Sequence, residues 1–254
     1  MIISYSKNFV YIHLEKTGGT SVEFALEPFL SSDDKKIDMV VGSTPNGEAL
    51  EDTLKMKYGE KNLIYKHSSS QEAKEFLGDQ WDNMYKFATV RDPHDLMISL
   101  YYYSETILAR FINSIDKETI VDFFMNKPRH PVVKIWAKEM PYMIDYFRSW
   151  HYENGIDGFI QSILLGNGHH KMKTQYERLE KSVEIFDLSN LSNDWATIQQ
   201  KTGIFEAELK HENKSKKPEN VTLSDKTIKC ILDFFKEDYE IIPQTTGISW
   251  KHSV

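Results

Sequence analysis

The chain has 254 residues, 40% of them apolar and 27% charged, with 38 acidic against 31 basic side chains and a formal charge of −7. A chain of this length buries roughly 73% of its extended surface on folding, enough for a core without staples, and 13 Tyr, 14 Phe and 5 Trp exclude a disordered polymer. The acidic balance argues against a general nucleic-acid binder and disfavours a polyanionic substrate unless basic groups cluster locally. The single cysteine, Cys230, excludes an internal disulfide and a cysteine-based zinc site.

The first stretch, MIISYSKNFVYIHLEKTGGTS, lacks the basic region and long apolar run of a signal peptide. No apolar run of about 18 residues follows anywhere, so no transmembrane helix is expected and cytoplasmic residence is the default. Asn8 to Leu14 is short, β-branched and aromatic, and reads as a buried strand. Two glycines break it, and Thr20 to Phe29 places Val22, Leu26 and Phe29 near helical spacing. Residues 31–36 read as a polar loop. A second short strand is expected at Asn62–Lys66, then a serine turn opening a helix at Ser70. Met84 to Val90 reads as a third strand, ending at Arg91-Asp92-Pro93, where Pro93 suits the first turn of a helix running to about Leu108.

The middle, residues 110–170, is helical in pattern. Ser182 to Phe186 is a candidate fourth strand, Ser189 to Thr202 a helix closed by Gly203, and 210–220 a basic polar loop. Ser224 to Tyr239 reads as a helix with Ser224 as its N-cap. Strands alternating with helices point to an α/β fold with a central parallel sheet flanked by helices on both faces. With no composition shift along the chain, residues 1–254 read as a single domain carrying a mostly helical insertion around 110–170.

Two segments carry anion-binding chemistry. In residues 13–21 (HLEKTGGTS) Gly18 and Gly19 let backbone N–H groups converge, and the following helix start adds its dipole and unpaired donors. Lys16 adds a full charge, and Thr17, Thr20 and Ser21 add hydroxyls. The lysine precedes both glycines, so this is not the ATP-type GxxxxGK[ST] loop. The plainer alternative is a strand–helix turn with a surface lysine. In residues 90–102 (VRDPHDLMISLYY) Arg91 offers a fork of donors at another strand end, with Ser99 eight residues on, just over two helical turns. The alternative here is Arg91 paired with Asp92 or Asp95 at a helix start. Two such elements on neighbouring strands suggest a ligand with two separated anionic groups.

Together these segments resemble the sulfotransferases that use 3′-phosphoadenosine 5′-phosphosulfate (PAPS), in particular their carbohydrate branch. EKTGGTS, Glu15 to Ser21, is similar to the family's PKTGGTS, and VRDPHDLMISLY, Val90 to Tyr101, to its VRDPxxRxxSxY. KHENKSKKP is similar to a late family loop. The resemblance implies a P-loop-like three-layer sandwich. It implies that Lys16 contacts the 5′-phosphate and stabilises the leaving group, and that Thr17, Gly18, Gly19, Thr20 and Ser21 line the 5′-phosphosulfate site. It further implies that Arg91 and Ser99 hold the 3′-phosphate and that Asn213, Ser215 and Lys216 close the nucleotide site. The product would be PAP, and no metal is expected. Glu15 departs from the family's proline and Leu96 from its arginine.

Such a reaction needs a base for the acceptor hydroxyl. His67, following the second expected strand, is the choice; the alternative is a histidine that merely bonds the Ser68–Ser70 turn. His13 reads as a supporting or core residue, with Glu15, Glu72, Asp92 and His94 as weaker bases. His169 and His170 form a loop pair without further metal ligands nearby in sequence. Tyr101, Tyr102 and Tyr103 suit either sugar contact or helix packing, and Trp136, Trp150, Tyr142 and Tyr146 read as core. The expected partner is a hydroxyl-bearing small molecule or saccharide, with no nucleic acid and no membrane insertion. The charge favours a neutral or weakly charged acceptor. Competing readings are a P-loop nucleotide or small-molecule kinase, and a non-catalytic nucleotide-binding protein.

Overall fold

A computed structural model of the chain describes residues 1–37, 64, 66–114, 155–165, 172–210, 218 and 220–250. Trp136, Trp150, Tyr142, Tyr146, His169, His170, Asn213, Ser215 and Lys216 lie outside the described residues. The chain divides into two compact units: residues 1–92, 174–214 and 237–254 form the first, and 93–173 with 215–236 the second.

The first unit is built on a five-stranded sheet of β1 (Ile2–Ser4), β2 (Phe9–Ile12), β3 (Lys35–Lys36), β4 (Tyr85–Val90) and β5 (Glu184–Asp187), in the order β3-β1-β2-β4-β5. β2, β4 and β5 are parallel neighbours, with Ile12 opposite Ala88 and Val90 opposite Asp187. All four β2 residues are buried, as a central strand covered on both faces requires. β1 and β3 add an antiparallel edge that the sequence did not announce, because strands of three and two residues carry no periodicity. The β1–β2 turn is closed by Asn8 at φ 57°, a left-handed conformation asparagine tolerates better than most residues. Asp34 ties this corner by accepting from Ser4 Oγ, Ser6 N–H and Ser31 N–H.

Phe9, Tyr11, Phe87 and Phe186 alternate onto one sheet face. There they meet Val22, Ala25 and Leu26 of α1 (Gly19–Leu26) and, from a later helix, Leu191, Trp195 and Ile198. On the opposite face Lys86 Nζ donates to Trp81 O (3.1 Å), and Trp250 Nε1 donates to Asp187. The sheet is thus sandwiched between two layers. α2 (Ser70–Leu77) begins with a capping box: Ser69 accepts from Glu72 N–H while Glu72 accepts from Ser69 N–H. α3 (Gln80–Asn83) carries Trp81. Ile64 and Lys66, the described residues of the expected second strand, lie outside any strand, in an irregular stretch and a turn.

The second unit contains α4 (Pro93–Ser114), α5 (Gly155–Leu164) and α7 (Asp225–Phe234); α6 (Leu191–Thr202), closed by Gly203 at φ 67°, and α8 (Lys236–Thr246) complete the described helices. In the second unit Tyr101 packs edge-on to buried Phe159, and Gln161 donates to Thr227. Ser224 caps α7 as expected, but the helix stops at Phe235 and a separate one starts at Lys236. Among the described residues no helix is long and apolar enough to cross a membrane.

A charged cluster lies beneath α1. Glu23, 2% exposed, accepts from His13 Nδ1 (2.7 Å), the Met1 amino group (2.7 Å) and Lys66 Nζ (2.9 Å). Burial opposes the Glu23 charge, but the hydrogen bond from His13 and the positive amino group hold its carboxyl well below the usual range. Burial pushes His13 down to about 3 against the pull of Glu23, so its imidazole is neutral near pH 7. Both groups bind fewer protons folded than unfolded, so the stability they confer is complete above the ordinary histidine pKa and is lost as pH falls. Urea unfolding from pH 7 to pH 4 should show declining stability, with a shallower decline in His13→Asn, which keeps a donor near the Nδ1 position. Equal slopes in the two proteins would contradict this assignment.

Candidate active site

Because β2 and β4 run parallel, their C-terminal ends open at one sheet edge, where ligands of α/β sheets commonly bind. β2 runs through His13 to Gly18 into α1, and β4 through Arg91 and Asp92 into α4. The two anion elements expected from the sequence thus begin side by side. β5 ends next to them, with Leu188 N–H donating to Val90 O (2.8 Å).

Lys16 sits at φ 61°, a left-handed conformation costing a non-glycine residue about 1–2 kcal/mol. Arg91 Nη1 donates to its carbonyl (3.3 Å), which ties the two elements together. Burial first, then the neighbouring guanidinium, pushes Lys16 down to about 8, with Glu15 opposing. Gly18 has φ 83°, and a Cβ there would overlap the Leu188 side chain; a Cβ on Gly19 would overlap the His13 ring. Both glycines therefore let α1 begin flush against its neighbours. Ser21 N–H turns back to Gly18 O (3.0 Å), and the first turn of α1 holds no acidic residue. A helix start of this kind contributes about 0.3–1 kcal/mol toward an anion, whereas each hydrogen bond to a charged group contributes about 1.5–3 kcal/mol, so Lys16 and Arg91 dominate.

Thr17 differs from the expectation that its hydroxyl faces the anion. It is buried, and Oγ1 donates to Leu14 O (2.9 Å) and contacts Thr89 Oγ1 (3.2 Å), closing the turn from within. Thr20 and Ser21 are half-buried at the helix start. Ser99 lies on α4 in the second unit, 4% exposed. Leu96, where the resembled motif has arginine, is also 4% exposed and belongs to the core.

His67 does not bond the serine turn through its ring. Its Nδ1 lies 2.9 Å from His13 O, and a carbonyl can only accept, so Nδ1 carries the proton and Nε2 keeps its lone pair. The His13 and His67 rings meet edge-on at 4.7 Å. Burial pushes the His67 pKa down, helped by Arg178, while Glu15 and the His13 carbonyl pull it up. The other base candidates are engaged elsewhere: Glu72 in its capping box, and Asp92 accepting from Tyr239 OH (3.1 Å). Glu15 lies 3.9 Å from Arg178, and His94 3.9 Å from Asp95.

Four residues not singled out from the sequence belong to this region. Glu23 holds His13, Arg178 donates to His67 O, Gln175 brackets the Arg91 backbone, and Asp238 holds Gln175. Glu23 carried a signal, since an acid three residues before Leu26 lies on the apolar face of α1. The other three come from distant segments and carried none.

No curated protein and no solved structure matches the chain. The model of the sulfotransferase family matches residues 1–242, spanning the Lys16 turn, Arg91 and His67. With both anion elements at one end of a parallel sheet core and the match covering nearly the whole chain, the protein belongs to the sulfotransferase family.

Proposed function

We propose that the protein transfers a sulfuryl group from PAPS to a hydroxyl acceptor, with a neutral or weakly charged saccharide as the favoured class. The observation that carries the donor assignment is the Arg91–Lys16 contact: the Arg91 guanidinium donates to the Lys16 carbonyl, which brings two basic residues to the strand ends beside a helix start without acids in its first turn. A ligand with two anionic groups would meet both positive side chains, and the Lys16 pKa, lowered first by burial and then by the guanidinium, would rise on binding it. PAPS, when bound, supplies the sulfuryl group and the leaving phosphate.

The chain's own residues then divide the work. The backbone of Gly18 to Ser21 receives the 5′-phosphosulfate end, with Lys16 beside it to meet charge growing on the leaving oxygen. Arg91 takes the 3′-phosphate; the family resemblance also assigns Ser99 to that group, and Asn213, Ser215 and Lys216 to closing the nucleotide site. His67, neutral with Nε2 unprotonated, accepts the proton of the acceptor hydroxyl, a step contributing about 10²–10⁴-fold. As in phosphoryl transfer, the protein contributes mainly position and charge.

Incubation of labelled PAPS with a panel of glycans, lipids and small alcohols should label a hydroxyl acceptor. Lys16→Ala should abolish transfer while circular dichroism stays unchanged. His67→Ala should lower the rate by about 10²–10⁴-fold with PAP affinity nearly unchanged; an unaffected rate moves the base role elsewhere. If PAP binds but neither substitution changes anything measurable, a non-catalytic nucleotide-binding role is favoured.

The pH dependence gives a separate check. Lys16 binds an anion best when charged, and it loses its proton through about pH 8 in the free protein. PAP affinity should therefore weaken as pH rises past about 8, and Lys16→Arg, whose charge persists, should lack that decline. The same decline in both proteins would remove Lys16 from the donor site.

A further inference from the structure

We propose that Gln175 and Asp238 are positioning residues of the donor site, fixing the backbone of Arg91 and, through its guanidinium, the Lys16 turn. The inference rests on the donor assignment above but concerns residues outside both anion motifs. Gln175 is 4% exposed and reaches Arg91 from 84 positions away. Its Oε1 accepts from Arg91 N–H (2.9 Å) and its Nε2 donates to Arg91 O (2.8 Å). The two bonds reproduce what a neighbouring strand would offer at the point where β4 gives way to α4. They also fix the amide, because the flipped orientation would set an NH2 group against the Arg91 N–H.

Asp238 on α8 is fully buried and holds Gln175 in turn. Its Oδ2 accepts from Gln175 N–H (3.0 Å) and Nε2 (3.1 Å), and its Oδ1 from Tyr176 N–H (2.8 Å). All three groups facing it are donors, so a carboxylate satisfies them and an asparagine, with one acceptor and one donor end, does not. Burial pushes this carboxyl up to about 6 against those bonds. The next residue, Tyr239, donates to Asp92 (3.1 Å), so α8 holds Arg91 indirectly and Asp92 directly. Three residues after Gln175, Arg178 donates to His67 O.

A chain of bonds thus runs from Asp238 through Gln175 to the Arg91 backbone, and from the Arg91 guanidinium to Lys16 O. Neither Gln175 nor Asp238 is assigned contact with the ligand. Their loss should act on donor binding and leave acceptor binding alone.

The test compares wild type, Arg91→Ala, Gln175→Ala and Asp238→Asn by PAP titration and steady-state transfer. Gln175→Ala should raise the PAP Kd and the PAPS KM about tenfold or more, with the acceptor KM within about threefold. A folded Gln175→Ala protein with PAP Kd within about twofold of wild type overturns the inference, as does a loss confined to kcat. Hydrogen exchange of the wild-type protein covers the case in which neither variant folds. There PAP should protect the peptides containing Gln175 and Asp238 together with residues 16–21 and 90–92. Protection of the latter two segments alone overturns the inference. Wild type that binds no PAP at all instead defeats the donor assignment, which separates the two failures.

Discussion

Lys16 and Arg91 stand beside one another at the end of a buried parallel strand pair, and much of the first unit is arranged to keep them there. The backbone around both residues is held from several sides. Arg91 is held by Gln175, and its guanidinium reaches the Lys16 carbonyl. Lys16 keeps a left-handed conformation that few lysines adopt, next to two glycines pressed against His13 and Leu188. The strained Lys16 backbone is one feature of the anion site proposed for these residues.

The same economy links the proposed anion site to the proposed base. His13 uses its ring to meet Glu23 and fill the space over Gly19, and its carbonyl to receive the His67 Nδ1 proton. One residue therefore supports the start of the cradle and sets the tautomer of the proposed base. This also explains a buried glutamate in α1: with His13, Lys66 and the amino group around it, Glu23 is a paired charge rather than an orphan. Removing one partner of such a cluster typically costs several times what an exposed ion pair contributes.

Much of the fold was legible because its parallel strands end in chemically loud turns. β2, β4 and β5, the helix start at Ser70 and the Gly203 stop lie within a few residues of where alternation, capping and glycine placement predicted them. The antiparallel edge of β1 and β3 was not legible, because its strands are too short for a period. The break at Phe235 was hidden because apolar spacing continues across it to Tyr239. Lys16, Gly18, Gly19 and Arg91, singled out by motif and spacing, stand at the ends of β2 and β4. Thr17 misled because a hydroxyl in a turn serves the backbone as readily as a ligand. Gln175, Arg178 and Asp238 were silent because their importance comes from long-range hydrogen bonds, which leave no local pattern.

The central claim is that the paired cations receive an adenosine ligand phosphorylated at both its 3′ and 5′ positions. The most direct measurement is the thermal shift of the full chain with PAP set against the shift with ATP at equal concentration. The account predicts that PAP raises Tm clearly and ATP much less, since PAP carries the 3′-phosphate that the account assigns to Arg91. Equal shifts with the two nucleotides, or a larger one with ATP, would contradict it.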